Sequence, residues 1–395
     1  MPEKDQTVPP TEMGPPEPVG RDKINATMGK LREAVIANLV MLGEIPAPTY
    51  GEWRRCNEFM HRLIEAGVQN CAVDDAGNGV GMIAGSEGER SILLAACADS
   101  VVDPDLDHSI SVQSNRIEGT GISDSLGISV LASLPLLFEQ MGIRFRDHII
   151  LLGASRSAGR GNLEGIRYFL KNNRWPLRFG LAMKGSPLGR LSYTSIGMLR
   201  GEITCTVPAE YDWSRFGASG AVLTINQIIS KIAAIPLPRR PVTSIVLGSI
   251  EGGTTYDRIA RRVLLKFEIR SEEAGMVQKV SEEISDIVAE TEAQTGSSVS
   301  LDIFARREPG GILISHPVVR ACRSTLESLE IDPRIMPSTS ETSALIDAGI
   351  PAVTLGLSRS RSISDEREEI DIPSLMTGIT QLIDVLQKLD GGWAS

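Results

Sequence analysis

Few side chains in this sequence are spaced to do chemistry on their own. The four histidines are His61, His108, His148 and His316, and no two stand at a spacing that would let them share a metal ion. The five cysteines, Cys56, Cys71, Cys97, Cys205 and Cys322, are scattered with no CxxC pair. An odd, dispersed set of this kind reads as reduced thiols in a cytoplasmic protein. Cys97 ends an apolar run and could serve as a nucleophile or a soft ligand. A nucleophilic thiol needs a base within reach, and no histidine is placed to be one. A small buried thiol is the commoner use of such a position.

The elements that would position a site can be read from bulk and periodicity. The 395 residues suffice for two domains and a large core, with 42% hydrophobic residues, 38 Gly and 4% aromatics. A formal net charge of −10 argues against non-specific nucleic-acid binding. Residues 1–21 are polar and proline-rich, without the apolar stretch of a signal peptide, and read as a disordered tail. No apolar run reaches the length of a membrane span, so no membrane partner is expected.

Apolar residues at helical spacing predict helices near 24–43 and from Trp53 onward. Short apolar runs at 81–84, 92–97, 148–152 and 179–183 alternate with helical patterns at 126–140 and 163–170. That alternation predicts an α/β fold, a mostly parallel sheet with helices on both faces. Near residue 200 the pattern changes to strand–helix–strand–strand–helix–strand, which predicts an inserted α+β sandwich. The α/β pattern returns after Pro309, with a helix near 317–329, a strand near 352–357 and a last helix from Pro373. The expected division is a tail at 1–21, an α/β domain from 22–198 and 307–395, and an insert at 199–306.

Several motifs in this order resemble the di-zinc amidohydrolases and exopeptidases typified by acetylornithine deacetylase, aminoacylase and glutamate carboxypeptidase. They are ValLeuGlySerIleGluGlyGly at 246–253, PheGluIleArgSer at 267–271 and AlaGlyIleProAlaValThrLeuGly at 348–356. The resemblance implies a catalytic α/β domain with an inserted dimerisation, or lid, domain, and hence a homodimer through that domain.

The resemblance also locates where zinc ligands would stand, and most are replaced. The segment AlaAlaCys97AlaAsp99 has Cys97 at the position of a ligand His, with Asp99 kept from the His-x-Asp pair. GlyThrGlyIleSerAsp124 keeps the bridging Asp. Arg156 and Ser157 stand where a general-base Glu and a ligand Glu are expected, Lys184 where a further acidic ligand is expected, and Ser364 where the last His is expected. The lid residues that would reach substrate are represented by Tyr211 and Asp257, and Arg270 matches a frame position. A cation cannot ligate a cation, so no metal and no cofactor are expected.

Two carboxylates facing one cleft repel unless positive charge lies between them. Lys184 or Arg156 close to Asp124 could supply that charge covalently. The first functional expectation is a non-hydrolytic pseudo-peptidase that binds a small carboxylate or amino-acid derivative. The second is a metal-independent enzyme using Lys184, Arg156, Asp99, Asp124 and Cys97, which requires a depressed Lys184 pKa. The third is a retained zinc hydrolase.

Overall fold

The computed structural model describes residues 18–208, 220–364 and 366–391. Residues 1–17 of the expected tail and Tyr211 lie outside the described residues.

The larger sheet has eight strands in the order Asn70–Val73, Gly79–Ile83, His148–Ala154, Ser91–Cys97, Leu177–Lys184, Ala352–Gly356, Arg190–Ser192 and Arg334–Ile335. The four central strands run parallel. Their sequences are unbroken apolar runs because both faces are covered. Along Ser91–Cys97 every residue is buried. Ile92, Leu94 and Ala96 enter one core with the helices Arg21–Gly43, Ile122–Met141 and Ile372–Asp390. Leu93 and Ala95 enter another with the helices Glu164–Asn172 and Glu341–Asp347. The α/β class expected from the sequence is the class observed.

Among the described residues Ile122–Met141 is the one helix long and apolar enough to cross a membrane, although the sequence shows no unbroken apolar run of that length. Serines interrupt it and are satisfied locally. Ser125, Ser129 and Ser133 each donate to a carbonyl three or four residues earlier, at 2.8–3.1 Å. The helix is buried in the core of the sheet domain.

The second sheet is antiparallel, in the order Thr243–Gly252, Arg262–Ser271, Gly197–Thr206 and Ser298–Arg307. Its strands alternate. Leu199, Ile203, Val263, Leu265, Phe267 and Ile269 pack under the helices Ala221–Ala233 and Met276–Thr295. The opposite face carries Arg200, Glu202, Lys266, Glu268 and Arg270. Three arginines tie this sheet to the larger one through the loop at Gly159–Asn162. The Arg160 guanidinium reaches Glu202 at 2.9 Å and Asp302 at 2.8 Å, and lies 4.2 Å from the Phe304 ring centre. Arg200 donates to the Gly159 carbonyl and Arg307 to Asn162.

Two features differ from the sequence expectation. A small sheet joins Ser360–Ser362, Arg367–Asp371, Arg116–Thr120 and Ser111–Val112, and a short helix covers Glu341–Asp347. The strands are short and largely polar, and the helix opens in a run of hydroxyl residues, so neither carries a hydrophobic period.

Gly356 ends its strand opposite Lys184, and a Cβ there would lie 1.8 Å from the Pro187 carbonyl oxygen. Gly356→Ala is expected to lower stability by about 2–3 kcal/mol, read as a lower urea midpoint at unchanged m. A loss below about 0.5 kcal/mol, the range of a neutral surface change, would show that the Pro187 turn can move aside.

Candidate functional site

Ser91–Cys97 and Leu177–Lys184 are adjacent parallel strands. The next sheet strand after Cys97, His148–Ala154, lies on one side of this pair. The next after Lys184, Arg190–Ser192, lies on the other. In open α/β sheets the crevice beyond the carboxyl ends at such a switch is where ligands bind. Cys97, Asp99, Ser157 and Lys184 all end or follow strands at this edge. Asp124 lies in the first turn of Ile122–Met141.

Asp99 is fully buried and saturated. It accepts from the Thr49 hydroxyl at 2.8 Å, from Ser157 N at 3.1 Å and from Ala158 N at 2.8 Å. Glu52, also buried, accepts from Arg156 N at 2.8 Å. Burial raises the Glu52 pKa, and its backbone hydrogen bonds only partly oppose this. These two carboxylates wrap the chain at 156–158, where Arg156 takes a left-handed backbone with φ of 50°. Ser157 therefore contributes its amide; its hydroxyl turns back to the Ala154 carbonyl at 3.4 Å.

The Arg156 side chain turns outward. It pairs with Glu164 and lies 5.4 Å from the Tyr50 ring centre. It is not brought to Asp124. Asp124 accepts from the Ser100 hydroxyl at 2.8 Å, and Glu368 accepts from Ser123 N at 3.0 Å at the same helix start.

Cys97 donates to the Asp99 carbonyl at 2.9 Å. Burial, reinforced by Asp99, pushes its thiol pKa well above the ordinary value, so it holds its proton at neutral pH.

Lys184 is half-buried at the end of its strand. Among the described residues it makes no hydrogen bond and no ion pair within 4.0 Å; its partners are electrostatic only. Burial opposes its charge. The Cys97 thiolate that forms at high pH, with Glu341 and Asp124, outweighs that and holds the ammonium above its ordinary 10.5. The shift is opposite to the one a lysine base would need.

Three residues were not visible as site members in the sequence. Arg55 is 2% exposed and donates to the carbonyls of Ala98 at 3.1 Å and Ile45 at 2.6 Å, beneath Asp99 and Asp124. The helix pattern that predicted its segment used Trp53, which is exposed. The buried stripe is Arg55, Cys56, Phe59, Met60 and Leu63, and a charged residue inside it was the available signal. Glu341 is fully buried. Arg307 is 3% exposed and donates to the Thr339 carbonyl at 2.7 Å. Burial lowers the Arg307 pKa to about 10, still far above neutrality.

The remaining sequence candidates lie elsewhere. Asp257 is exposed in the loop after the antiparallel edge strand and bonds Thr255. Arg270 is exposed and pairs with Glu268. Ser364 is exposed in a hairpin turn, where its hydroxyl accepts from Arg367 N at 3.1 Å. Among the described residues no group of three or more His, Cys, Asp or Glu side chains stands close enough to hold one ion.

No family model matches the chain, and no curated protein matches it. Solved structures do. The dipeptidase Dug1p from Saccharomyces cerevisiae aligns at a TM-score of 0.80, with 11% identity over 95% of this chain and 100% of that one. Human carnosine dipeptidase 1 aligns at 0.76, with 11% identity over 94% and 100%. A Bacillus subtilis protein described as a dinuclear metal-binding peptidase of the M20 family aligns at 0.62, with 14% identity over 92% and 99%. The chain shares the fold of these solved structures. At this identity the likeness shows architecture, and function must come from the site.

Proposed function

We propose that this protein binds a small carboxylate, an amino-acid derivative, in the crevice of a metallopeptidase fold without hydrolysing it through zinc. The observation that carries the reading is Lys184, a fixed ammonium at the switch point whose donors have no partner among the described residues.

The zinc pair implied by the fold does not suit the groups present. Zinc sites need several free anionic or imidazole donors. Here Asp99 is engaged by three donors, Asp124 is the one carboxylate kept at a ligand position, and Lys184 and Arg55 bring positive charge to the same floor. With Arg156 turned toward Glu164, no free base stands at that loop position.

A homodimer through the antiparallel unit belongs to the same reading. Thr243–Gly252 is an edge strand, and Val246, Leu247 and Ile250 on it are exposed. An unpaired edge of this kind requires covering. A cytoplasmic setting suits the five unpaired thiols.

The test is metal content by elemental mass spectrometry on untagged protein, with hydrolysis assays on N-acyl amino acids and dipeptides. Little zinc is expected, with no turnover whether zinc or chelator is added. Zinc near two per chain with chelator-sensitive hydrolysis would overturn the proposal.

A further inference from the structure

We propose that the floor of the crevice is built for an unblocked α-amino acid head group, with Lys184 and Arg307 taking its carboxylate and Glu341 its ammonium. This rests on the carboxylate-binding reading above and narrows it.

The argument begins with buried atoms that have no partner. Glu341 is fully buried and neither of its carboxylate oxygens accepts a hydrogen bond. The Arg307 guanidinium uses Nε on Asn162 and Nη1 on Thr339, while its buried Nη2 donates to nothing. The Ser195 hydroxyl, on a residue 4% exposed, is also unpartnered.

These three groups gather on one segment. Ser195 bridges to Ser338, Arg307 bonds Thr339, and Glu341 begins the following helix. That helix leans on the Leu177–Lys184 strand, with Leu345 over Gly180. Its chain continues into Ala352–Gly356, whose first residue pairs with Gly180. The helix therefore runs from the carboxyl edge of the sheet towards the amino edge, which puts Glu341 on the Lys184 side. The charges of Lys184 and Arg307 both reach Glu341.

The neighbouring hydroxyls of the segment, by contrast, are paired. The hydroxyls of Ser338 and Ser340 bond each other at 2.8 Å, and Thr342 bonds Thr354 at 2.7 Å. Buried polar atoms are nearly always paired, so a set of unpaired ones marks a place for another molecule.

The kind of atom then selects the ligand. Lys184 and the free Arg307 nitrogen donate, and Glu341 accepts. A simple carboxylate would satisfy the donors but be repelled by Glu341. A ligand that carries an ammonium beside its carboxylate satisfies both. An N-acyl group removes that ammonium's charge and two of its hydrogens.

The test uses the full chain and three ligand sets: the proteinogenic L-amino acids, their N-acetyl derivatives, and their α-carboxamides. Binding is followed by thermal shift and then calorimetry. Only the free amino acids should raise the Tm, by a few degrees at about 100 times Kd. Glu341→Gln should cut the preference for free over N-acetylated ligand by roughly tenfold or more, as expected for a lost charge-assisted bond. The wild-type comparison stands even if that variant folds poorly. N-acetyl derivatives binding as tightly as free amino acids, or an unchanged preference in Glu341→Gln, would overturn the head-group assignment and leave the carboxylate crevice standing. No response to any set would assign these atoms to ordered water, and overturn it as well.

Discussion

Lys184→Ala should weaken binding of a carboxylate ligand by roughly 30- to 1000-fold, the equivalent of about 2–4 kcal/mol for removing one member of a desolvated charge pair. The check is calorimetry with the tightest ligand found among amino acids and their N-acyl derivatives. Lys184→Met keeps an apolar stem and should lose nearly as much, which separates charge from packing. The pH profile carries further information. The Lys184 pKa is raised above 10.5, so its charge is present throughout the neutral range and is lost only as pH rises through that higher value. Binding should therefore be level from about pH 6 to pH 9 and fall above 10.5, because a lysine stays protonated below its pKa. The stability that the ammonium contributes follows the same direction, full below 10.5 and lost above the raised value. Unchanged affinity in Lys184→Ala would sink the proposed function. A fall in binding between pH 6 and pH 9 would contradict the raised pKa.

Asp99→Ala should be the most damaging substitution at the site, lowering stability by about 3–5 kcal/mol. The side chain is fully buried, and three donors depend on it: the Thr49 hydroxyl and the amides of Ser157 and Ala158. Removing it orphans two backbone N–H groups in the interior. Asp124→Asn is the control. Asp124 holds one side-chain hydrogen bond, from Ser100, and is not fully buried, so about 1 kcal/mol or less is expected. Urea unfolding of both variants measures the difference. A loss below 1 kcal/mol in Asp99→Ala would mean that the 156–158 turn is held by something other than this carboxylate.

Much of the fold was legible because apolar runs and alternation carry it. The run Ile92–Cys97 reads as a doubly covered strand and is one. The alternation after Leu199 reads as a half-exposed strand, and Leu199, Ile203 and Cys205 do face the helices. The site was legible only in part. Cys97, Asp99, Asp124, Ser157 and Lys184 gather at one sheet edge, because strand ends and the loops after them converge there. Arg156 does not join them, since its left-handed backbone and the neighbouring Glu164 send the guanidinium outward. Glu341 was missed because a Ser- and Thr-rich stretch looks like a surface loop. Here its hydroxyls bond one another, so the segment is buried without apolar residues. Arg55 was missed because a charged residue on an amphipathic helix is ordinarily on its wet face.

The loop that carries Arg156 and Arg160 is anchored at its two ends by bonds of different character. At 157–158 the amides are fixed to a carboxylate with no solvent contact. At Arg160 the anchors are ion pairs to Glu202 and Asp302, with the arginine half exposed. Mobile ions screen the second kind and not the first. The screening length falls from about 10 Å at 0.1 M salt to about 3 Å at 1 M. Ionic strength thus acts selectively on this molecule: it weakens the Arg160 ion pairs between the two sheets while the crevice floor keeps its shape.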